Sequence, residues 1–231
     1  MTAVTDTFTG FRPEAIQFLA DLAANNDRAW FQPRKAEYEA LLKQPLEALC
    51  VALGERFEAR GLPLSADPAR SPFRIYRDVR FSKDKAPYKT SASAAFRWNE
   101  SGAELSHQEG DPGGYFHLAP GDAYVGGGMW HPPTAKLAAF RQAVVTDTSR
   151  VRGLLDEPEF KRRFGTISGE SLKRVPPGFP ADHPERDLLM LKDMTFGHRL
   201  ADADVQSPTL PDVLVEAFEV AIPVMRFLAR L

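Results

Sequence analysis

The sequence predicts an α+β fold, a central antiparallel sheet flanked by N-terminal and C-terminal helices. Three observations point to it. Residues 1–61 carry apolar side chains at helical spacing; residues 73–130 break into short alternating stretches cut by Pro, Gly, Asn and Asp; and helical spacing resumes after Pro133 and runs to the end. A doubly wound parallel sheet would instead alternate strands and helices along its whole length.

At the N-terminal side, Ala15, Phe18, Leu19 and Leu22 predict a helix from residue 13 to about residue 25, with Pro13 in the first turn, where its missing N–H costs nothing. A second helical stretch is predicted to begin near Pro33. After Pro45 its stripe of Leu46, Leu49, Cys50, Leu53 and Phe57 runs into Gly61, a natural C-terminal stop.

In the middle, residues 74–81, 90–98, 114–119 and 123–129 read as strands. Only Pro120, Gly121 and Asp122 separate the last two, which predicts a hairpin. The polar stretch 102–112 reads as an exposed loop.

Beyond Pro132 and Pro133, Leu137, Phe140 and Val144 share one helix face, and short helices are expected over 151–155 and 158–164. A loop rich in Pro and Gly over 173–184, a short helix and a strand over 191–197 follow. The last helix is the clearest: Leu210, Leu214, Phe218, Ala221, Met225 and Leu228 form one apolar face behind Thr209 and Asp212 at capping-box spacing, with Pro223 expected to kink it.

With 231 residues, 43% hydrophobic and 26% charged, the chain fits a single domain over 1–231 with a substantial core. Twenty-nine basic against thirty-one acidic side chains leave a net charge of −2. That balance counts against a nucleic-acid partner, and any anion preference must be local. The one cysteine, Cys50, excludes an intramolecular disulfide and a cysteine-rich zinc site, so a reducing, cytoplasmic setting is expected. Neither a secretory leader nor a membrane-spanning apolar run is seen, and no membrane partner is expected.

The most distinctive segment is 74–89. It holds six basic residues, Arg74, Arg77, Arg80, Lys83, Lys85 and Lys89, against Asp78 and Asp84. As a strand, its first half would place Arg74, Tyr76, Asp78 and Arg80 on one side and Ile75, Arg77, Val79 and Phe81 on the other. Arg77 would then be the more buried guanidinium and would require a partner. Arginine forks match carboxylate and phosphate oxygens, so Arg74, Arg77, Asp78, Arg80, Lys85 and Tyr88 are the candidate ligand-binding residues for a small anion. A salt-bridge network within the segment is the structural alternative.

The run Arg74-x-x-Arg77-Asp78-x-Arg80-Phe81, followed by Asp84-Lys85 and Tyr88, resembles the signature of a widespread bacterial family of uncharacterised proteins, classified as a domain of unknown function. Phe18-Leu19, Asn25-Asn26-x-Arg28-x-Trp30-Phe31, Gly114-Tyr115-Phe116-His117 and Gly126-Gly127-Gly128-Met129-Trp130 resemble that family's opening and central hairpin. The resemblance spans essentially the whole chain and implies no catalytic role for any residue.

Other chemistry is sparse. Gly126, Gly127 and Gly128 fit a strand bulge or hairpin end better than a phosphate cradle, since no helix opens behind them. Glu104, His107, Glu109, Asp111 and His117 match no metal-site spacing, so no metal is assigned, and no cofactor motif is present. His131, between Trp130 and two prolines, has a fixed backbone that would suit a positioned acid or base, although a lone histidine is more often structural. Cys50, in a helix core, is expected to be inert. The sequence thus supports a small-anion site at 74–89, in an enzyme or a binding protein. Its alternative is an interaction module that uses the basic segment with Trp98 and Trp130 to dock a protein or single-stranded nucleic acid.

Overall fold

The computed structural model describes residues 7–100 and 110–231. Five strands, β1 (Leu64–Ser65), β2 (Ala92–Trp98), β3 (Gly113–Ala119), β4 (Asp122–Met129) and β5 (Met194–Arg199), form one sheet in sequential order, each pair antiparallel. The β3–β4 hairpin turns at Pro120 and Gly121. Proline pre-sets its own φ there, and Gly121 supplies the φ of +68° that the turn needs.

Helices precede and follow the sheet. On the N-terminal side lie α1 (Pro13–Ala24), α2 (Arg28–Phe31), α3 (Lys35–Tyr38) and α4 (Gln44–Ala59). On the C-terminal side lie α5 (Thr134–Thr146), α6 (Thr148–Leu155), α7 (Pro158–Phe164), α8 (Arg186–Met190), α9 (Asp202–Val205) and α10 (Leu210–Ala229). Asp27 caps α2 by accepting from the Trp30 backbone N–H at 2.9 Å, so the second helical stretch opens before Pro33, which sits in a 3-10 turn. Gly61, at φ +61°, ends α4 as expected, with Leu62 N donating back to the Phe57 carbonyl at 2.8 Å.

One sheet face is covered. There α1 packs on β3, α4 on β2 and α10 on β4. Phe96, Phe116 and Val125 point into this layer and are fully buried with Phe57 and Phe218. The Phe218 ring lies edge-on to Phe57 at 5.7 Å and to Phe96 at 5.6 Å. The buried apolar residues make one continuous cluster.

Three expectations are corrected. Residues 74–81 are not a strand of the sheet. Their pairing is a single bridge from Tyr76 to Tyr88, with Arg77 N donating to Pro87 O at 2.9 Å and Lys89 N to Ile75 O at 2.7 Å. Pro87 has no N–H to extend the ladder, and the charged tip has no apolar face to bury. The strand expected over 191–197 is shifted to Met194–Arg199. The Thr209 side chain caps no backbone group of α10, and Asp212 instead forms a two-pronged pair with Arg56 at 2.7 and 3.2 Å. The loop expected over 102–112 falls mostly on residues 101–109, outside the described residues.

Candidate functional site

The opposite sheet face carries a cleft of about 1130 Å³. Strand alternation decides what lines it. Reading across β2, β3, β4 and β5, three rows point to this side: Ser93, His117, Tyr124 and Arg199; Ala95, Tyr115, Gly126 and Gly197; Arg97, Gly113, Gly128 and Thr195. The middle of the floor is therefore nearly bare backbone. A Cβ at Gly126 would lie 2.4 Å from the Phe196 carbonyl oxygen, and one at Gly128, whose φ is +109°, 2.1 Å from that of Met194. Glycine is required for β5 to approach β4 this closely. Phe73, Tyr115, Tyr124 and Trp130 supply aromatic walls.

At one end of the cleft Ser93 Oγ lies 3.0 Å from His117 Nδ1, and the Tyr115 hydroxyl lies 3.3 Å from the same nitrogen. The imidazole stacks on Tyr124 with ring centroids 4.8 Å apart. Burial holds the His117 pKa below the ordinary histidine value, and Asp122 opposes this only in part. Burial, then the neighbouring Tyr115, pushes Tyr124 up to about 12. Both rings are thus neutral at pH 7, able to donate and accept hydrogen bonds without carrying charge.

Charge enters from the sides. Lys89, Arg97 and Arg230 line the cleft, opposed by Asp111 and by Glu100, which Arg226 engages at 2.5 Å. Lys89 Nζ sits 4.7 Å from the centroid of the Phe73 ring. Burial, then the nearby Arg74, lowers the Lys89 pKa from its ordinary value. Neither Lys89 nor Arg97 forms an ion pair with any described residue.

None of the six residues expected at the anion site lines this cleft. Burial does alternate along residues 74–80 as anticipated, with Ile75 buried and the Arg77 side chain 28% exposed against 77% for Arg80. Arg77 finds the partners its burial demands, Asp84 at 2.6 Å and the Ala86 carbonyl at 3.0 Å. Arg80 pairs with Asp78 at 2.7 Å on the surface, and Lys85 donates to the Val79 carbonyl at 3.0 Å. Arg74 is exposed. Tyr88 is corrected outright as a ligand contact: its ring is 1% exposed and stacks on Phe31 at 4.1 Å, while Asn26 brackets its backbone with two 3.0 Å hydrogen bonds. Phe81, expected on the apolar side, is 95% exposed at the tip.

Ser93, Arg97 and Tyr124 are not singled out by the sequence, Tyr115 enters there only through the hairpin resemblance, and His117 only through that resemblance and as a metal candidate. A usable signal was there. The positions facing away from the apolar ones in β2, β3 and β4 carry Ser, Tyr, His, Arg and Gly, the composition of an uncovered face. Among the metal candidates, Glu104, His107 and Glu109 lie outside the described residues. Trp98 packs partly against the core, and Trp130 is 74% exposed at the cleft wall.

A family model described as conserved hypothetical protein (DUF2461) matches residues 14–227. The chain belongs to this family. The DUF2461 match takes in the sheet, the basic segment and α10 almost to its end. No curated protein and no solved structure matches the chain. For this DUF2461 protein, function is therefore argued from the cleft itself.

Proposed function

We propose that this chain is a bacterial, cytoplasmic protein that binds a small anionic ligand, bearing phosphate or carboxylate, in the cleft on the uncovered sheet face. Lys89 and Arg97 take the anionic group, and Phe73, Tyr115, Tyr124 and Trp130 hold the rest of the molecule against the glycine floor. The observation that carries this reading is the pairing of the cations. Within the basic segment Arg77, Arg80 and Lys85 are engaged by its own carboxylates and carbonyls, and Arg74 and Lys83 are exposed to solvent, whereas the half-buried Lys89 and Arg97 line a cleft without an ionic partner among the described residues. A partly buried charge without a partner is costly, and a bound anion relieves that cost. The anion site thus lies at the base of the basic segment rather than at its tip.

The cytoplasmic assignment draws on Cys50, the one cysteine of the chain, which lies buried in α4 as a free thiol. A thermal-shift screen of phosphorylated and carboxylated metabolites tests the proposal, because a ligand bound only by the native state raises its melting temperature. The proposal expects at least one such compound to stabilise the wild type but not Lys89→Ala. Stabilisation confined to uncharged compounds counts against it.

A second reading has one observation in its favour. Phe81 stands 95% exposed beside Arg80, Lys83 and Lys85, as an anchor for docking another protein would.

A further inference from the structure

His131 lies two residues beyond the end of β4 and is the one described residue other than glycine with a positive φ, +51°. A residue held there is over-determined by its surroundings, and such strain gathers at functional positions. The surroundings are specific. Asp193, 2% exposed, accepts from the His131 backbone N–H at 2.7 Å and lies 3.1 Å from His131 Nδ1 through the same oxygen, Oδ1. Its other oxygen accepts from the Glu170 backbone N–H at 3.3 Å. Gly169 lets that strand of chain close over the carboxylate, since a Cβ there would lie 2.6 Å from Asp193 Cβ. The imidazole stacks on Trp130 at 4.0 Å, and its side chain is 60% exposed.

The hydrogen bonding fixes the tautomer. A carboxylate can only accept, so His131 Nδ1 carries the proton and Nε2 presents its lone pair. This is the orientation in which a buried carboxylate aligns a histidine as a base. His131 and Asp193 do not themselves line the cleft, but Trp130, on which the imidazole stacks, and the hydrogen-bonded Ser168 and Thr195, close in the chain to Gly169 and Asp193, do so at the end away from Ser93 and His117.

We propose that His131 and Asp193 form an acid–base dyad at the Trp130 end of the cleft. His131 Nε2 accepts the proton of an adjacent water or hydroxyl group, the O–H bond breaking as the N–H bond forms, and the imidazolium so formed is balanced by the Asp193 carboxylate until the proton returns to that oxygen or to solvent. The dyad goes beyond the anion-binding reading and does not depend on it.

The test uses the full chain and no natural ligand. Long-range proton–nitrogen correlation spectra should show the Nδ1–H tautomer at His131. Diethyl pyrocarbonate should acylate His131 Nε2, releasing ethanol and carbon dioxide, at a rate at least tenfold above that of Asp193→Asn. His131→Asn, which tolerates the left-handed backbone, should abolish modification at this position while leaving the melting temperature close to that of the wild type. An Nε2–H tautomer in the wild type, or a modification rate that Asp193→Asn leaves unchanged, overturns the dyad. Unfolding of His131→Asn assigns the residue a structural role and overturns it as well.

Discussion

Arg77 donates to Asp84 at 2.6 Å across the neck of the basic segment, and the same guanidinium nitrogen reaches the Ala86 carbonyl at 3.0 Å. The bond is made between a side chain 28% exposed and a carboxylate 65% exposed, so the fully buried figure for breaking an ion pair does not apply. Arg77→Ala is expected to cost about 1–2 kcal/mol, the range for a charged hydrogen bond reduced by solvent. Arg80→Ala, which loses an exposed surface pair with Asp78, should leave the unfolding midpoint close to that of the wild type. Urea unfolding of the two variants checks the ordering, and equal losses would contradict it.

Phe218 and Gly114 constrain each other through the covered face of the sheet. A Cβ at Gly114 would lie 2.7 Å from Phe218 Cε1 and 3.2 Å from Phe96 Cδ2, in a cluster where Phe218 is 0% exposed. Phe218→Ala should cost about 3–5 kcal/mol by leaving a cavity. Gly114→Ala should cost about 1–3 kcal/mol by overpacking. The two changes should be non-additive, since truncating the ring frees the space the methyl needs. Additive losses in a double-mutant cycle would show that the ring and the strand do not press on each other.

His117 gives the fold a pH dependence of defined sign. Its folded pKa lies below the ordinary value of 6.5 because burial disfavours the imidazolium. Below that value the unfolded chain therefore binds a proton that the folded chain resists. The stabilising contribution is fully present above 6.5 and is lost as pH falls from there to the depressed folded pKa. Melting temperatures measured down through this window should fall more steeply for the wild type than for His117→Gln. Parallel curves would rule out His117 as the source.

Much of the fold was legible because periodicity is a local signal. The α10 stripe from Leu210 to Leu228 and the Pro120–Gly121 turn each declare themselves within a few residues. The 74–81 segment misled because its burial does alternate, yet alternation says nothing about whether a neighbouring strand exists. Here the neighbour is a short arm interrupted by Pro87. The cleft was illegible for a different reason. Ser93 and His117 meet only through the β2–β3 register, Tyr124 joins them only through β3–β4, and His131 meets Asp193 across sixty-two positions of chain. Charge density drew attention to the tip of the basic segment, whereas the pairing of Arg77 with Asp84 and of Arg80 with Asp78 depends on the folded geometry, which composition cannot show.

The most direct test of the proposed anion binding in the cleft is calorimetric titration of the metabolite that raises the melting temperature most into the wild type, Lys89→Ala and Arg80→Ala. Lys89 lines the cleft, while Arg80 is spent on Asp78 at the surface. Lys89→Ala should weaken binding about tenfold or more, equivalent to about 1.4 kcal/mol, with Arg80→Ala within about twofold of the wild type. Unchanged affinity in Lys89→Ala together with a loss in Arg80→Ala would contradict the account and return the site to the tip of the basic segment.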